Sequence, residues 1–509
     1  MRWAPAAALA LGVAYALTRS RVHTWDAIAY AARAAGDPLL ADRYLSTALF
    51  HPHHLLYAPL AVVAHRVLAP LGLARDPVVP LQLMSAAFGA LAVWLAGRLA
   101  LRLGAGPRRA LWLMVAVGVS NAVWRFSTEA LVMIPSLAFL LLGAWMAAGA
   151  RSRAGWCCAG FGFAGAMLIH QSAVVFAAAA TVGLLLVGRA GRVPSGAALA
   201  FALGWIVPAG LAYLAVGIAE TGGLSPAALA SWMFTAGHRS TSLHATPAAV
   251  ARETAVGVTE AWVTLAPLRD MGGPRAFAWP AALATMVGAA GAGAAALAAL
   301  PGLVRAVRSR EPVVTMLLAG AAATAGLVAA FQPWNHAYWV YFPPVCGALV
   351  AARLPRVPAW GRALTWVAIA AVATVNLVAR TLPAMDPARA PYADLVRFAR
   401  DHFDPGDRLI CGGSASAIGE GVIVLPFFAR TPVVLAPIPG RRDQELRFEH
   451  LVDEALAGVA SGHAVFATGD ALAPLRRHRP DVAIRPVGTL RGIEVYRVTP
   501  TAPATPRSR

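Results

Sequence analysis

The sequence predicts an α-helical polytopic membrane protein, with about eleven transmembrane helices followed by a small C-terminal α/β soluble domain. Three observations predict it. Of 509 residues, 58% are hydrophobic and 13% charged, where a soluble chain carries about a quarter charged residues. Mean hydropathy is +0.61. The apolar residues also fall into long runs up to residue 382 and lose that pattern beyond it. The basic residues number 43, all arginine, against 24 acids, a net charge of +19. They lie mostly in short loops between apolar runs, which fits membrane topology and excludes a nucleic-acid-binding stripe. Cys157, Cys158, Cys346 and Cys411 have neither C-x-x-C nor zinc-ligand spacing, so no disulfide framework or metal finger is implied.

A span needs roughly 20 apolar residues, and eleven runs qualify: 3–17, 78–101, 111–124, 130–149, 154–169, 172–188, 196–217, 277–304, 313–331, 337–352 and 363–381. Positive charge is retained in cytoplasmic loops. Six segments take that side, carrying Arg2; Arg98, Arg102, Arg108 and Arg109; Arg151 and Arg153; Arg189 and Arg192; Arg305, Arg308 and Arg310; and Arg353, Arg356 and Arg362. Together these hold 15 arginines against the single acid Glu311, while the outer segments up to residue 382 hold 12 against nine. All nine histidines of that region (23, 51, 53, 54, 65, 170, 238, 244 and 336) fall outside. This places a multi-pass protein in the plasma membrane, its N-terminus cytoplasmic and its C-terminal domain extracytoplasmic. The first run, with Arg2 and Ala14-Tyr15-Ala16, also reads as a cleavable secretory signal; either reading leaves residue 18 outside. The stretch 55–73 contains His65 and Arg66 and reads as an interfacial or re-entrant helix on the outer side.

The chain then divides into a membrane domain (1–382) with a long first outer loop (18–77), a soluble domain (383–499) and a disordered tail (500–509). Residues 383–509 hold 16 arginines and 14 acids. Candidate strands are Arg408–Cys411, Pro432–Ala436, Ala464–Thr468 and Ile493–Val498, with helices near 392–402, 443–460 and 470–478, a pattern for a small layered sheet. Gly412-Gly413-Ser414 follows a strand but lacks the G-x-G-x-x-G spacing and reads as a plain turn.

An outer loop of about 60 residues is far longer than the median connection of about 4–6 and is usually functional or disordered; its aromatic and apolar content argues against disorder. It runs His23-Thr24-Trp25-Asp26-Ala27-Ile28-Ala29-Tyr30, then Phe50-His51-Pro52-His53-His54-Leu55-Leu56-Tyr57. It leads to Gln82-Leu83-Met84-Ser85-Ala86-Ala87-Phe88-Gly89-Ala90-Leu91 in the second span. Here the sequence resembles the GT-C glycosyltransferases, polytopic enzymes that take sugar from a polyprenyl-phosphate carrier at the outer membrane face. The order of an early loop Asp, a His-Pro-rich stretch and a Ser-Ala-x-x-Gly-Ala-Leu span is most similar to the bacterial branch related to protein O-mannosyltransferases. Asn121-Ala122-Val123-Trp124-Arg125-Phe126-Ser127-Thr128-Glu129 is similar to that branch's aromatic-then-acidic turn. His170-Gln171-Ser172 resembles its Asn-His turn, and Trp334 to Pro344 its late Arg-Tyr-Leu-Leu-Pro turn. His53-His54 departs from the usual Pro-Gly, and His170 stands one place early. The resemblance implies a hexosyl transfer from a polyprenyl-phosphate-linked sugar to a hydroxyl acceptor on glycan, lipid or protein, in the bilayer and without nucleic acid.

The chemistry follows from the residues as well. Sugar transfer to a hydroxyl needs a carboxylate to take the acceptor proton, and the leaving lipid phosphate needs cationic or hydrogen-bonding partners. Asp26 is the candidate base, against a solvated loop charge. Glu129, at the outer end of an apolar run where ionisable groups tend to be functional, is the second catalytic candidate, against an interfacial charge paired with Arg125. Substrate-binding candidates are His51, His53, His54, Arg125, His170, His238, Arg239 and His336. His51, His53 and His54 flank Pro52 and cannot all point one way, so a three-ligand metal site from that stretch is strained. No metal ligand or cofactor is assigned, and a divalent metal stays open. Gly237-His238-Arg239-Ser240-Thr241-Ser242 suits a lipid phosphate or an ordinary solvated loop. The rival readings are a polytopic transporter or lipid-linked-saccharide flippase, and a non-catalytic receptor. Carriers place charges at the midplane of paired broken helices, whereas here the ionisable groups gather at outer ends. The arginine asymmetry predicts that reporter fusions after Arg109, Arg192 and Arg310 read as cytoplasmic, and fusions after Pro247 and Asp401 as external. A cytoplasmic reading at Asp401 would overturn the assignment of the active face.

Overall fold

The computed structural model describes residues 3–36, 50–234, 246–266, 278–412, 421–436 and 442–501. They form two compact units: Met1–Arg21 with Ala48–Asp386, and Val22–Thr47 with Pro387–Arg509. The first is helical. Each of the eleven apolar runs coincides with one or more apolar helices. Among the described residues, five helices are long and apolar enough to cross a membrane alone: Val78–Arg102, Ala197–Thr221, Pro280–Arg308, Pro312–Phe331 and Ala359–Ala384. A sixth span results if the pair Pro107–Gly118 and Asn121–Ser127 is one, although it bends by 60°. Shorter apolar helices include Ala4–Leu17, Met133–Ala147, Arg153–Ile169, Ala173–Gly188 and Phe342–Arg353. The run read as one span over 111–124 is therefore broken, and the run 337–352 becomes helical only at Phe342, where Pro343 and Pro344 suit the first helical turn.

Close backbone packing explains the many glycines in these helices. A Cβ on Gly160 would lie 2.3 Å from the Phe201 carbonyl oxygen, and one on Gly204 would lie 2.2 Å from that of Cys157. Small residues at such crossings let apolar helices approach where no hydrophobic difference from lipid drives them together. Large apolar side chains such as Leu203, Ile206 and Leu211 stay uncovered on the Ala197–Thr221 helix. Arginines anchor one set of helix ends: Arg102 lies 3.9 Å over the Trp145 ring, Arg153 donates to the Ser195 carbonyl at 2.7 Å, Arg109 donates to the Leu354 carbonyl, and Arg353 pairs with Glu311. The stretch 55–73 forms the amphipathic helix Tyr57–Leu68, extended to Leu71, which buries Tyr57, Ala58 and Ala61 and exposes Val63, Val67 and Leu71.

The second unit is an α/β layer. Strands β1 (Arg408–Cys411), β2 (Val433–Leu435), β3 (Val465–Thr468), β4 (Val482–Leu490) and β5 (Ile493–Pro500) form one sheet in the order β2-β1-β3-β5-β4. β1 is parallel to β2 and β3, whereas β5 is antiparallel to β3 and β4. Helices Arg442–Ala457 and Leu472–His478 cover one face through Phe448, Val452, Leu456 and Leu475, packed on Ile410, Val434 and Val498. β4 is the strand that sequence reading missed. It contains Pro486 and Gly488, which demote a strand, and the structure accommodates them with a register shift between those two residues on the edge strand. Val22–Thr47, read from sequence as part of the membrane domain's first loop, groups with this unit.

Close packing at the helix break is testable at Gly89, where a Cβ would lie 2.2 Å from Ser127 Oγ and 3.0 Å from the Tyr15 ring. Gly89→Ala is expected to cost about 1–3 kcal/mol as overpacking, read as a lowered unfolding midpoint in detergent. Gly210→Ala, where a Cβ meets nothing within 4 Å, is the unaffected comparison; equal midpoints for both variants would refute the crossing.

Candidate functional site

The break between Pro107–Gly118 and Asn121–Ser127 carries the first group of functional side chains. The Ser120 hydroxyl donates back to the Val117 carbonyl at 2.6 Å, and the Asn121 amide donates to the Glu260 carbonyl at 2.7 Å, so the turn is tied to the end of the Pro247–Trp262 helix. Asn376 completes the clasp. Its amide nitrogen donates to the carbonyls of Val119 at 2.8 Å and Trp262 at 3.1 Å, while its oxygen accepts the Thr264 N–H at 2.8 Å. Immediately after it, Leu377–Thr381 forms a π-helical turn carrying Arg380, a local irregularity frequent at functional sites.

These ties gather charges. Arg125 Nη1 donates to His336 Nε2 at 2.5 Å, and Phe126 stacks on the same imidazole with centroids 5.5 Å apart. A guanidinium has no acceptor, so His336 takes this bond as a neutral ring with its proton on Nδ1. Arg380, Glu129 and Glu260 lie within electrostatic range of Arg125. Glu129 and Glu260 are buried. A strap over residues 18–21 closes beside them: Trp124 Nε1 donates to Thr18 Oγ1 at 3.0 Å, Ser20 N to the Thr128 carbonyl at 3.1 Å, and Gln82 Nε2 to the Ser20 carbonyl at 2.7 Å.

The second group is histidine-rich. The 50–57 turn is fixed by Gln171 N donating to the His53 carbonyl at 3.0 Å, Leu56 N to the Leu168 carbonyl at 2.8 Å, and Tyr213 OH to the Pro52 carbonyl at 2.8 Å. His51 and His54 stack at 5.6 Å, His54 and His170 at 5.4 Å, and His53 stands edge-on to His51 at 5.1 Å. Tyr338 lies 6.0 Å from His170, ring to ring. Burial and three neighbouring imidazoles hold His54 well below the usual histidine range, and burial together with His53 lowers His170 to about 4. Among the described residues, no group of three or more His, Cys, Asp and Glu is arranged to hold a metal ion.

The structure thus brings together His51, His53, His54 and His170, and separately Arg125, Glu129 and His336. The two groups meet along the 332–342 turn, where His336 and Tyr338 stand two residues apart. Asp26 belongs to the other unit, in the first turn of the Trp25–Ala35 helix, which Thr24 Oγ1 caps by accepting Ala27 N at 3.3 Å. His23 anchors that helix: its N–H donates to Tyr392 OH at 2.9 Å and its ring stacks on Phe428 at 6.2 Å. His238 and Arg239 lie outside the described residues. Sequence reading missed Glu260, Arg380, Tyr338 and Asn376. Arg380 had a signal, a charge inside the last apolar run; Glu260 and Asn376 had none, because their roles come from helix ends meeting in space.

No protein-family model and no curated protein matches the sequence. Solved structures do. ArnT from Cupriavidus metallidurans in the apo state superposes with a TM-score of 0.62 at 15% identity, covering 98% of this chain and 99% of that one. The same protein bound to undecaprenyl phosphate gives 0.58 at 14% identity, over 96% and 97%. AglB, the oligosaccharyltransferase of Archaeoglobus fulgidus, in complex with an inhibitory peptide and a dolichol-phosphate, gives 0.52 at 11% identity, over 92% of this chain and 69% of that one. This chain has the GT-C fold. Within it, the helix break and the histidine turn are two places where charged and polar side chains of the described residues collect.

The histidine group makes the GT-C fold pH-sensitive with a definite sign. His170 titrates near 4 when folded and near 6.5 when unfolded, so between those values the unfolded chain binds more protons and stability falls as pH falls. The parent is expected to lose thermal stability between pH 7 and pH 5, and His170→Gln to lose less. Parallel pH profiles for the two proteins would remove His170 from this role.

Proposed function

We propose that this protein transfers a sugar, a hexose by resemblance, from a polyprenyl-phosphate carrier to a hydroxyl acceptor on the outer face of the plasma membrane. The carrying observation is the convergence of Arg125 and Arg380 with Glu129, Glu260 and His336 at a broken helix of the GT-C fold. Two guanidiniums within electrostatic range repel unless an anion or carboxylates lie between them, and a phosphate takes two N–H bonds from one guanidinium fork. In the reaction the acceptor oxygen bonds to the anomeric carbon as the bond to the carrier phosphate breaks. The electron pair leaves on the phosphate, which the arginines stabilise, and the acceptor proton passes to a carboxylate. Asp26 takes that proton in this reading; it follows the 18–21 strap by five residues in sequence. Glu129 orients the acceptor or the arginines. The half-buried histidine group, with Tyr338, supplies donors and acceptors for sugar or phosphate, His54 and His170 among them as neutral rings. The neighbours solved with undecaprenyl phosphate and with a dolichol-phosphate support the carrier class.

The test separates chemistry from binding and from folding. Asp26 sits in the first turn of its helix, where a carboxylate contributes about 0.3–1 kcal/mol through the helix dipole, so Asp26→Asn keeps the fold. Loss of a general base costs about 10²–10⁴ in rate. Asp26→Asn is therefore expected to bind undecaprenyl phosphate as the parent does, yet fail to restore the envelope glycans missing from a deletion strain, read by mass spectrometry. Arg380→Ala is expected to weaken undecaprenyl phosphate binding at least tenfold. Full glycan restoration by Asp26→Asn would remove it as the base, and unchanged carrier binding by Arg380→Ala would remove the phosphate from this cluster.

A further inference from the structure

The β4–β5 hairpin sets two like charges face to face. Arg485 is the direct cross-strand partner of Arg497, an arrangement that destabilises an antiparallel pair. Both are exposed. Three other arginines of this unit are matched with carboxylates, Arg491 with Asp394 at 2.6 Å, Arg479 with Asp481 at 2.7 Å and Arg408 with Glu454 at 2.9 Å, while Arg477 is exposed on its helix and opposite no other arginine. Among the described residues, neither Arg485 nor Arg497 has an ion pair or a side-chain hydrogen bond.

What surrounds the pair narrows its partner. Arg497 is opposite Phe466 on β3, and Phe466 packs on Phe403 with ring centroids 4.3 Å apart. One row along the hairpin, Gly488 is opposite Val495, and a Cβ there would stand 3.4 Å from Phe398 and 3.9 Å from His402 Nε2. Phe398 and His402 are stacked at 4.2 Å. Side chains alternate between faces along a strand, so Val495 and Arg497 share a face, and it is the face that carries the Ala393–His402 helix. Two unmatched guanidiniums therefore flank a short aromatic platform. Large apolar side chains that could enter a bilayer are absent from it: in the described part of this unit Leu446, on another helix, is the exposed one.

We propose that this face of the C-terminal domain binds an acidic saccharide, with Arg485 and Arg497 taking a carboxylate or phosphate between them and the Phe398–His402 stack lying against the sugar ring. Planar guanidiniums match such oxygens in pairs, and the anion relieves the repulsion that the hairpin carries when empty. Nothing in this assignment depends on sugar transfer, since it is measured without donor.

The test uses the full-length chain in phosphatidylcholine nanodiscs, with trigalacturonate as the probe and galactotriose as its neutral counterpart. Trigalacturonate is expected to bind in a salt-sensitive manner and galactotriose not to bind. Arg485→Thr should weaken binding at least tenfold while melting at or above the parent temperature, because it removes the repulsion and adds a strand-forming residue. Arg477→Gln, an exposed position with the same charge change, should bind as the parent does. Equal weakening by Arg477→Gln would reduce the effect to net charge and overturn the site. So would absence of trigalacturonate binding, or binding confined to phosphatidylglycerol vesicles.

Discussion

Backbone groups freed where a helix breaks inside an apolar layer must find partners within the protein, and one buried side chain meets much of that demand here. Asn376 has two amide hydrogens and one oxygen to offer, and all are used on main-chain groups at helix ends: the carbonyls of Val119 and Trp262 and the N–H of Thr264. Three helix termini are thereby held at one point. The Asn121 amide adds the Glu260 carbonyl. Because unsatisfied buried polar groups cost about 1–3 kcal/mol each, the break between Gly118 and Asn121 is tolerable only while these amides are present. The positions of Arg125 and Glu260 follow from it, and Arg380 follows from the π-helical turn that begins one residue after Asn376.

The 332–342 turn extends this order to the histidine group. Trp339 is buried and its indole N–H closes the turn on the Pro333 carbonyl at 2.9 Å. Gly257 permits that closure, since a Cβ there would lie 2.2 Å from the same carbonyl oxygen. The turn then presents His336 to Arg125 on one side and Tyr338 to His170 on the other, and Tyr341 shares a hydrogen bond with Ser136 at 2.9 Å. A neutral His336 is the useful state for Arg125, because a protonated ring would place two donors against each other. Burial likewise keeps His54 and His170 uncharged, able both to donate and to accept.

Much of this was legible in the sequence, and the limits have physical causes. Apolar runs mark the helices because a chain in lipid must be apolar on every side, and four strands of the sheet announce themselves as short apolar segments. β4 does not, since a proline and a glycine hide an edge strand whose irregularity the bulge absorbs. The break at residues 118–121 was invisible because nothing polar enough to end an apolar run marks it; Ser120 bonds only within its own turn, and Asn121 acts through a partner 139 residues away. His51, His53, His54 and His170 could be named individually, but their convergence is a property of the Gln171–His53 and Leu56–Leu168 main-chain bonds. A π-helical turn is likewise a matter of register, which composition does not encode.

The grouping of Val22–Thr47 with the C-terminal domain changes what that domain is for. From sequence it is a separate soluble domain over 383–499, and Asp26 belongs to the first outer loop of the membrane domain. In the structure the helix bearing Asp26 is held by an aromatic column, His23 on Phe428 at 6.2 Å and Phe428 on Tyr392 at 5.6 Å, with the His23 N–H on the Tyr392 hydroxyl. Its inner face, Ala27, Ile28 and Ala31, is fully buried. A short helix of 11 residues is marginal by itself in water, so its order comes from packing, and that packing is supplied by residues more than 350 positions downstream. The C-terminal domain is therefore the scaffold that keeps the Asp26-bearing helix folded, and its truncation is expected to unfold that helix.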